Sequence, residues 1–334
     1  MQNERNERKN LLEIKGLKTT FHLFQGDVRA VDGIDLTLRE QEILGIVGES
    51  GCGKSVAAYS IMRLIDPPGE IADGECLFEG ADLLRKSEAE MRRIRGRDIS
   101  MIFQDPMSAL NPLQTIRQQM DEMLRLHSSL DAGARLEKIL SLLREVGISN
   151  PEERLRAYPH QFSGGMLQRV VIAIALAAQP KLIIADEPTT ALDVTVQAQI
   201  LRLMNDIVRN HSTALILITH DLAVVAGITE RVAVMYCGRL VEEGPTDAVV
   251  HAPLHPYAKG LLNSIPRMER RTGRLPQIPG IVPSLLDLPS GCAFAPRCGE
   301  AFERCLAEAP AIRGAEDGHR VACHLYEGRG VSPQ

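Results

Sequence analysis

Short apolar runs broken by turn residues fill positions 11–80, as at 31–38 and 43–47, and this punctuation predicts strands ahead of a first long helix that opens after Lys54. Between 87 and 160 the period changes. Leu, Ile and Met now recur at helical spacing among charged residues, most clearly in LEKILSLLREV at 136–146, with Pro151 and Pro159 as stops. The change predicts a helical subdomain inserted into an α/β core. From 161 the pattern alternates: a helix to Ala178, a strand at 182–185, a helix at 194–209, a strand at 214–219 and a helix from Asp221. Strands alternating with helices imply a parallel sheet. Two strands at 231–236 and 239–242, joined by a tight Cys237-Gly238 turn, close the core. Prolines then crowd together (Pro253, Pro256, Pro266, Pro276, Pro279, Pro283, Pro289, Pro296), which predicts a separate, loop-rich tail. No internal repeat is visible.

Composition narrows the class. A chain of 334 residues has room for one large domain with an appendage, or for two domains. Its 44% hydrophobic and 24% charged residues, with 4% aromatic and no Trp, fit a soluble α/β protein and exclude disordered and fibrous classes. A net charge of -5 argues against a protein built to neutralise nucleic-acid phosphates. The opening MQNERNERKN has no apolar segment, so no secretory signal is expected and the protein is expected inside the cell. The most apolar runs, 170–178 and 214–218, are far shorter than the roughly 20 residues that span a bilayer. Any membrane-spanning part is therefore expected on another chain. Seven cysteines inside a cell are expected as thiols, metal ligands or packing residues, and Cys292, Cys298, Cys305 and Cys323 lie close together in sequence.

The strand at 43–47 runs directly into Gly48-Glu49-Ser50-Gly51-Cys52-Gly53-Lys54-Ser55, a complete G-x-x-x-x-G-K-[ST] loop in its strand-loop-helix context. The glycines let the backbone curl so that N–H groups and a helix N-terminus face nucleotide phosphates, while Lys54 adds charge and Ser55 a magnesium ligand. A glycine-rich turn arising by accident is the bland alternative, and the flanking strand and helix disfavour it. A second apolar strand, KLIIA at 181–185, ends in Asp186 and Glu187. Asp186 is suited to holding magnesium through its shell, and Glu187 to facing the water that attacks the terminal phosphate.

FSGGMLQR at 162–169 lies just upstream of that acidic strand. Ser163-Gly164-Gly165 begins a helix whose Leu167, Val170, Val171 and Ile174 face the core, so its first turn offers N–H groups and a hydroxyl to an anion. With the loop and the two acids in place, this segment resembles the signature motif of ABC ATPases, and the similarity extends over 11–244. The resemblance implies a RecA-like P-loop NTPase core with an antiparallel β-subdomain, the helical insertion at about 87–160, and a small Cys-rich C-terminal extension. The ATPase domain is expected over 1–250 and the extension over 251–334. Glu187, His220 and Gln104 are the implied catalytic set: Gln104 senses magnesium and couples to membrane subunits, and His220 contacts the γ-phosphate. Thr190-Ala191-Leu192-Asp193 matches the loop that crosses the dimer interface. Phe21 is the expected base-stacking aromatic, with Phe24 as its rival. Phe162 and Met166 replace the commoner Leu and Gln of the signature, both mild changes that leave Ser-Gly-Gly intact. In this family two domains sandwich two ATP molecules head to tail, so Ser163, Gly164, Gly165 and Met166 are expected to close on the nucleotide of the partner.

HPYAKGLL at 255–262, LPQIPGIVP at 275–283 and GCAFAPRC at 291–298 are similar to the C-terminal extension of the dipeptide/oligopeptide importer ATPases, as are DPMSALNP at 105–112 and TTALDVT at 189–195. Membership implies a second homologous ATPase chain, two permease chains, an extracytoplasmic substrate-binding protein, and a peripheral place on the cytoplasmic face of the inner membrane. Peptides are the expected cargo, while nickel and glutathione importers share the layout. The tail spacing C-x5-C-x6-C-x17-C is not that of zinc ribbons or fingers. Four thiolates also suit an iron–sulfur cube. The resemblance implies a 4Fe-4S cluster on Cys292, Cys298, Cys305 and Cys323, with zinc and reduced thiols as alternatives and His324 as a substitute ligand for zinc. A soluble ABC ATPase acting on DNA or the ribosome would show paired ATPase units, a coiled-coil insertion or a basic surface. A small-molecule kinase would have no need of Ser163-Gly164-Gly165.

Overall fold

A computed structural model of the chain describes residues 8–190, 192–264, 277–314 and 318–327. The charged segment before Arg8, Ala191 of the interface loop and Leu275-Pro276 of the extension motif lie outside the described residues.

The chain starts with β1 (Asn10–Leu23) and β2 (Gly26–Arg39), then β3 (Ile43–Val47), whose five residues are all buried. Helix α1 (Lys54–Met62) stops after nine residues, shorter than its sequence suggests, because Arg63 turns left-handed (φ 51) and caps it ahead of Pro67-Pro68. After β4 (Gly69–Phe78) and β5 (Ala81–Asp82) come α2 (Glu88–Ile94), β6 (Ile99–Ile102), α3 (Pro106–Ala109), α4 (Ile116–His127), α5 (Ala132–Glu145) and α6 (Pro151–Arg154). Then follow α7 (Gly164–Leu176), β7 (Leu182–Asp186), α8 (Val194–His211), β8 (Ala214–Thr219) and α9 (Leu222–Ala226). The hairpin of β9 (Arg231–Tyr236) and β10 (Arg239–Pro245) leads to α10 (Thr246–His251), α11 (Pro256–Asn263), α12 (Glu303–Ala307), β11 (Arg313–Gly314) and β12 (Arg320–Val321). No helix among the described residues is long and apolar enough to cross a membrane.

The chain divides into two compact units. One contains 39–43 and 85–218. There β6, β7 and β8 run parallel, with Ile99 opposite Leu182 and Ile184 opposite Ile216. Strands β7 and β8 are buried along their whole length, as expected of parallel strands covered on both faces. Polar side chains start the helices: Thr115 accepts from the Gln118 N–H, Asp131 from Ala134 and Asp193 from Val196. Each such cap satisfies donors that the first helical turn leaves open.

The other unit contains 10–38, 44–84 and the chain from Thr219 onward. It holds one sheet in the order β2-β1-β4-β5, in which β1 and β4 pair antiparallel. In its second sheet β3 lies parallel to β9, with Val47 opposite Val234, and β9 pairs antiparallel with β10. The Pro-rich tail is not free-standing. Its β12 adds antiparallel to β10, with Val321 opposite Glu242, and β11 adds to β12. The attachment has a buried polar centre. The fully buried Glu242 accepts from the Leu254 N–H (2.8 Å), the His255 N–H (2.7 Å) and His319 Nε2 (2.7 Å). Beside it the buried Glu243 pairs with Arg231 (2.7 Å) and with Arg320. Tyr236, Tyr257 and Phe294 form an aromatic cluster with ring centroids 4.6 to 5.5 Å apart. His255, fully buried at the start of α11, accepts the Tyr257 N–H on Nδ1 (3.0 Å), and burial followed by the charge of Lys259 pushes its pKa down to about 3.

Replacing Glu242 by Ala leaves three buried donors without an acceptor, each costing about 1–3 kcal/mol. The expected result is a loss of at least about 3 kcal/mol in denaturant unfolding followed by circular dichroism, and a loss below about 1 kcal/mol would show the network to be incidental.

Candidate functional site

The phosphate loop follows from two crowded glycines. A Cβ on Gly48 would stand 2.2 Å from the Met235 carbonyl oxygen, and one on Gly53 would stand 2.0 Å from the Ala30 carbonyl oxygen. Gly53 also has φ 101 and serves as the N-cap of α1, where its own lack of a side chain leaves the first-turn N–H groups open. Gly51, with φ 79, has open space around it and needs only the conformational freedom. Lys54 is buried, and its ammonium donates to the Gly48 carbonyl (2.8 Å) and the Glu49 carbonyl (2.9 Å). Ser50 is exposed, whereas Ser55, in the first turn of α1, is half-buried. Cys52 is buried in the same loop, and burial raises its thiol pKa against the opposing pull of Lys54.

Glu49 carries contacts that its motif position gives no hint of. Its N–H donates to the Tyr257 hydroxyl (2.7 Å), and its carboxylate takes two hydrogen bonds from Arg297 (2.6 and 3.0 Å). Neither partner belongs to the expected site. The HPYAKGLL and GCAFAPRC motifs contain them, but sequence spacing says nothing of a contact 248 residues away.

Phe21 and Phe24 take different places. Phe21 is half-buried against Gly69, where an added Cβ would come within 2.6 Å of its ring. Phe24 is fully exposed in the turn after β1. His220 is exposed directly after the buried strand β8.

In the other unit two of the expected catalytic groups, Glu187 and Gln104, meet. Glu187 follows the buried Asp186 at the end of β7, in a left-handed conformation (φ 45) unusual for a residue with a side chain. Its N–H donates to the Ile218 carbonyl (2.9 Å), and one carboxylate oxygen accepts from Gln104 Nε2 (3.2 Å) and the Thr190 hydroxyl (2.9 Å). Thr190, expected only as part of the interface loop, is thus also a partner of Glu187. The signature segment and the interface loop also converge. Ser163, Gly164, Gly165, Met166, Leu192 and Asp193 line one open pocket with Arg169. Ser163 caps α7 and Asp193 caps α8, and a Cβ on Gly165 would stand 2.8 Å from Val196 of α8. Two helix N-termini thus face one pocket, a setting that favours an anion. Arg169 is fixed by bonds to the Val146 carbonyl (2.6 Å) and Gln199 (2.9 Å).

The four tail cysteines line a single cavity together with Glu300 and His324. They come together through turns: the Cys292 N–H donates to the Cys305 carbonyl (2.8 Å), and Gly291 passes so close that a Cβ would stand 2.3 Å from that oxygen. Burial raises the thiol pKa of Cys292 and Cys298, and pushes that of Cys323 up to about 11. Among the described residues, however, no group of three or more His, Cys, Asp or Glu side chains is arranged to hold a metal ion. His324 as a substitute ligand meets an obstacle: its Nδ1 lies 3.1 Å from Glu327 and its Nε2 lies 2.9 Å from the Glu308 carbonyl, so both ring nitrogens are engaged.

Residues 31–190 match the family described as ABC transporter, and residues 241–305 match the oligopeptide/dipeptide transporter C-terminal region. The dipeptide transport ATP-binding protein DppD of Bacillus subtilis is 49% identical over 320 residues, 96% of each chain. The oligopeptide transport ATP-binding protein OppD of Salmonella typhimurium is 48% identical over 313 residues, 94% of this chain and 93% of its own. Among solved structures, the dimeric ATP-binding cassette MJ0796 in a post-hydrolysis state with ADP and Pi aligns with a TM-score of 0.63 and 27% identity, covering 70% of this chain and 98% of that one. The phosphate loop, the acidic strand end and the signature helix therefore sit in a chain that belongs to the ATP-binding proteins of the ABC transporters, in the group that carries the oligopeptide/dipeptide C-terminal region.

Proposed function

We propose that this chain is the ATP-hydrolysing subunit that powers the import of dipeptides or oligopeptides through partner permeases. One observation carries the reading: relatives named for dipeptide and oligopeptide transport match at about half identity along nearly the whole chain, including the C-terminal region. The ATPase domain spans 1–250 and the peptide-importer extension 251–334. The working unit is a head-to-tail pair with a second homologous ATPase, docked on two permeases at the cytoplasmic face of the inner membrane and supplied by an extracytoplasmic binding protein. The dimeric form of the solved cassette supports the pairing.

Within this reading the N–H groups of 48–55 and the Lys54 ammonium hold the phosphates of ATP, and Phe21 stacks on the base. Magnesium, once bound, would supply positive charge against the charge that builds up on the phosphates in the transition state. Ser55, Gln104 and Asp186 are the residues suited to hold it. Glu187 takes the proton of the attacking water, and Gln104 and Thr190, which share one oxygen of that carboxylate, orient it. The strained backbone at Glu187 is consistent with a side chain held for chemistry. His220 contacts the γ-phosphate. Ser163 to Met166 close on the nucleotide of the partner, aided by the paired N-termini of α7 and α8, and Asp193 lines the dimer interface.

In the extension we propose that Cys292, Cys298, Cys305 and Cys323 hold a 4Fe-4S cluster, with zinc as the second candidate. What supports it is the donor set: four cysteines line one cavity, and four thiolates suit either centre in kind and number. Such a centre would tie together the segments that carry the four cysteines.

Glu187→Gln is expected to keep ATP binding while cutting turnover by about 10²-fold or more, since an amide cannot accept the proton. Steady-state phosphate release by the assembled importer checks this, and unchanged turnover would remove Glu187 from its role. Ser163→Arg puts a bulky cation into the pocket meant for the partner's nucleotide. ATP binding to the isolated chain should then persist while hydrolysis by the complex is lost; equal loss of both would contradict a role in trans. Protein prepared without oxygen should be brown and contain about four iron atoms per chain, and Cys298→Ser should abolish the colour. Colourless protein with one zinc per chain would reject the cluster.

A further inference from the structure

Every polar group of Glu49 is held. Its N–H is taken by the Tyr257 hydroxyl, its carbonyl by Lys54 (2.9 Å) and its carboxylate by both arms of Arg297. Arg297 has almost no freedom to be elsewhere. Its side chain is 4% exposed; Nε donates to the Pro279 carbonyl (3.0 Å) and Nη1 also reaches the Tyr236 hydroxyl (3.3 Å). The guanidinium lies 5.9 Å from the ring centres of Tyr236 and Phe294. The two-pronged geometry suits arginine and not lysine.

Glu49 also poses a problem that Arg297 removes. A carboxylate in the second position of a loop meant for phosphates is a like charge beside the ligand. Its repulsion is strong where the surroundings are partly dehydrated.

We propose that Arg297 and Tyr257 are positioning residues for the phosphate loop: Arg297 cancels and anchors the Glu49 carboxylate, Tyr257 caps the Glu49 N–H, and together they set the affinity for ATP. The C-terminal extension is thereby part of the nucleotide-binding apparatus. The inference rests on the reading that residues 48–55 bind the phosphates of ATP.

The test is MgATP titration of the full-length chain by calorimetry, beside steady-state ATPase kinetics of the assembled importer. Arg297→Ala is expected to weaken binding and raise KM about tenfold, equivalent to about 1.4 kcal/mol, with kcat within about threefold of the parent. The double variant Arg297→Ala with Glu49→Gln lacks the ion pair but also lacks the uncompensated charge. Its affinity should return to within about threefold of the parent, a recovery that an anchor for the tail alone would not produce. If Arg297→Ala fails to fold, Arg297→Lys carries the test, with an expected rise in KM of about threefold because one charge remains and the fork is lost. Unchanged affinity in a folded Arg297 variant, or a double variant no better than the single, overturns the proposal. Lys54→Ala, titrated alongside, separates the two readings. If it too leaves affinity unchanged, the assignment of 48–55 fails; if it weakens binding and Arg297→Ala does not, only the positioning role fails.

Discussion

Two backbone carbonyls leave no space for a side chain at either end of the glycine run in the phosphate loop, at Gly48 and at Gly53. Met235 crowds Gly48 and Ala30 crowds Gly53, so the loop is wedged against β9 and the inner part of β2. Much of its unit is then organised by β9. The strand pairs with β3 through Val232 to Val234, and the turn after it holds the loop again where the Gly238 N–H donates to the Cys52 carbonyl (2.9 Å). Its last residue, Tyr236, is the ring on which Tyr257, Phe294 and Arg297 gather. One strand thus fixes the loop backbone and provides the seat for the extension that grips Glu49.

The features visible in the sequence were those imposed by local covalent chemistry. Glycine spacing at 48, 51 and 53, the acids closing an apolar strand, and Ser163 ahead of Gly164-Gly165 each state a backbone requirement within a few residues, and each is met. The period of the apolar residues likewise located α5, β7, α8 and β8 within a few positions. What stayed hidden depends on distant partners. Nothing in 4% aromatic content suggests that three of the five Tyr and seven Phe residues pack into one cluster. Nothing in RLVEEGP marks Glu242 as a fully buried acceptor for three donors, since adjacent acids ordinarily indicate a solvated face. Among the described residues of the tail no helix exceeds eight residues, in line with the crowding of prolines, yet that crowding is silent on the two-residue strands that attach the tail to β10.

The acidic side of the site shows the same division. Asp186 and Glu187 are adjacent in sequence, but β7 ends at Asp186 and Glu187 turns left-handed, and a non-glycine residue gives no warning of it. That turn is sustained by the bond from its N–H to Ile218, and the carboxylate is then fixed by Gln104 and Thr190. Strain of about 1–3 kcal/mol at such a position needs surroundings that over-determine it, and the fully buried neighbours β7 and β8 supply them.

A solved cassette matched over 98% of its own length accounts for 70% of this chain, so the cassette fold does not itself require the remainder. What the extension adds is therefore local, and its buried charges indicate where. Burying an arginine beside a carboxylate is a weak source of net stability, because desolvation offsets most of the attraction, and apolar side chains of similar volume often stabilise as well. Stability alone is thus a poor reason for Arg297 to face Glu49, when the neighbouring Tyr236, Tyr257 and Phe294 already supply an apolar seam. An ion pair differs from an apolar contact in direction: it is strong only when both prongs of the guanidinium meet both carboxylate oxygens. Arg297 meets that condition at 2.6 and 3.0 Å, and the geometry it selects is that of the loop's second residue.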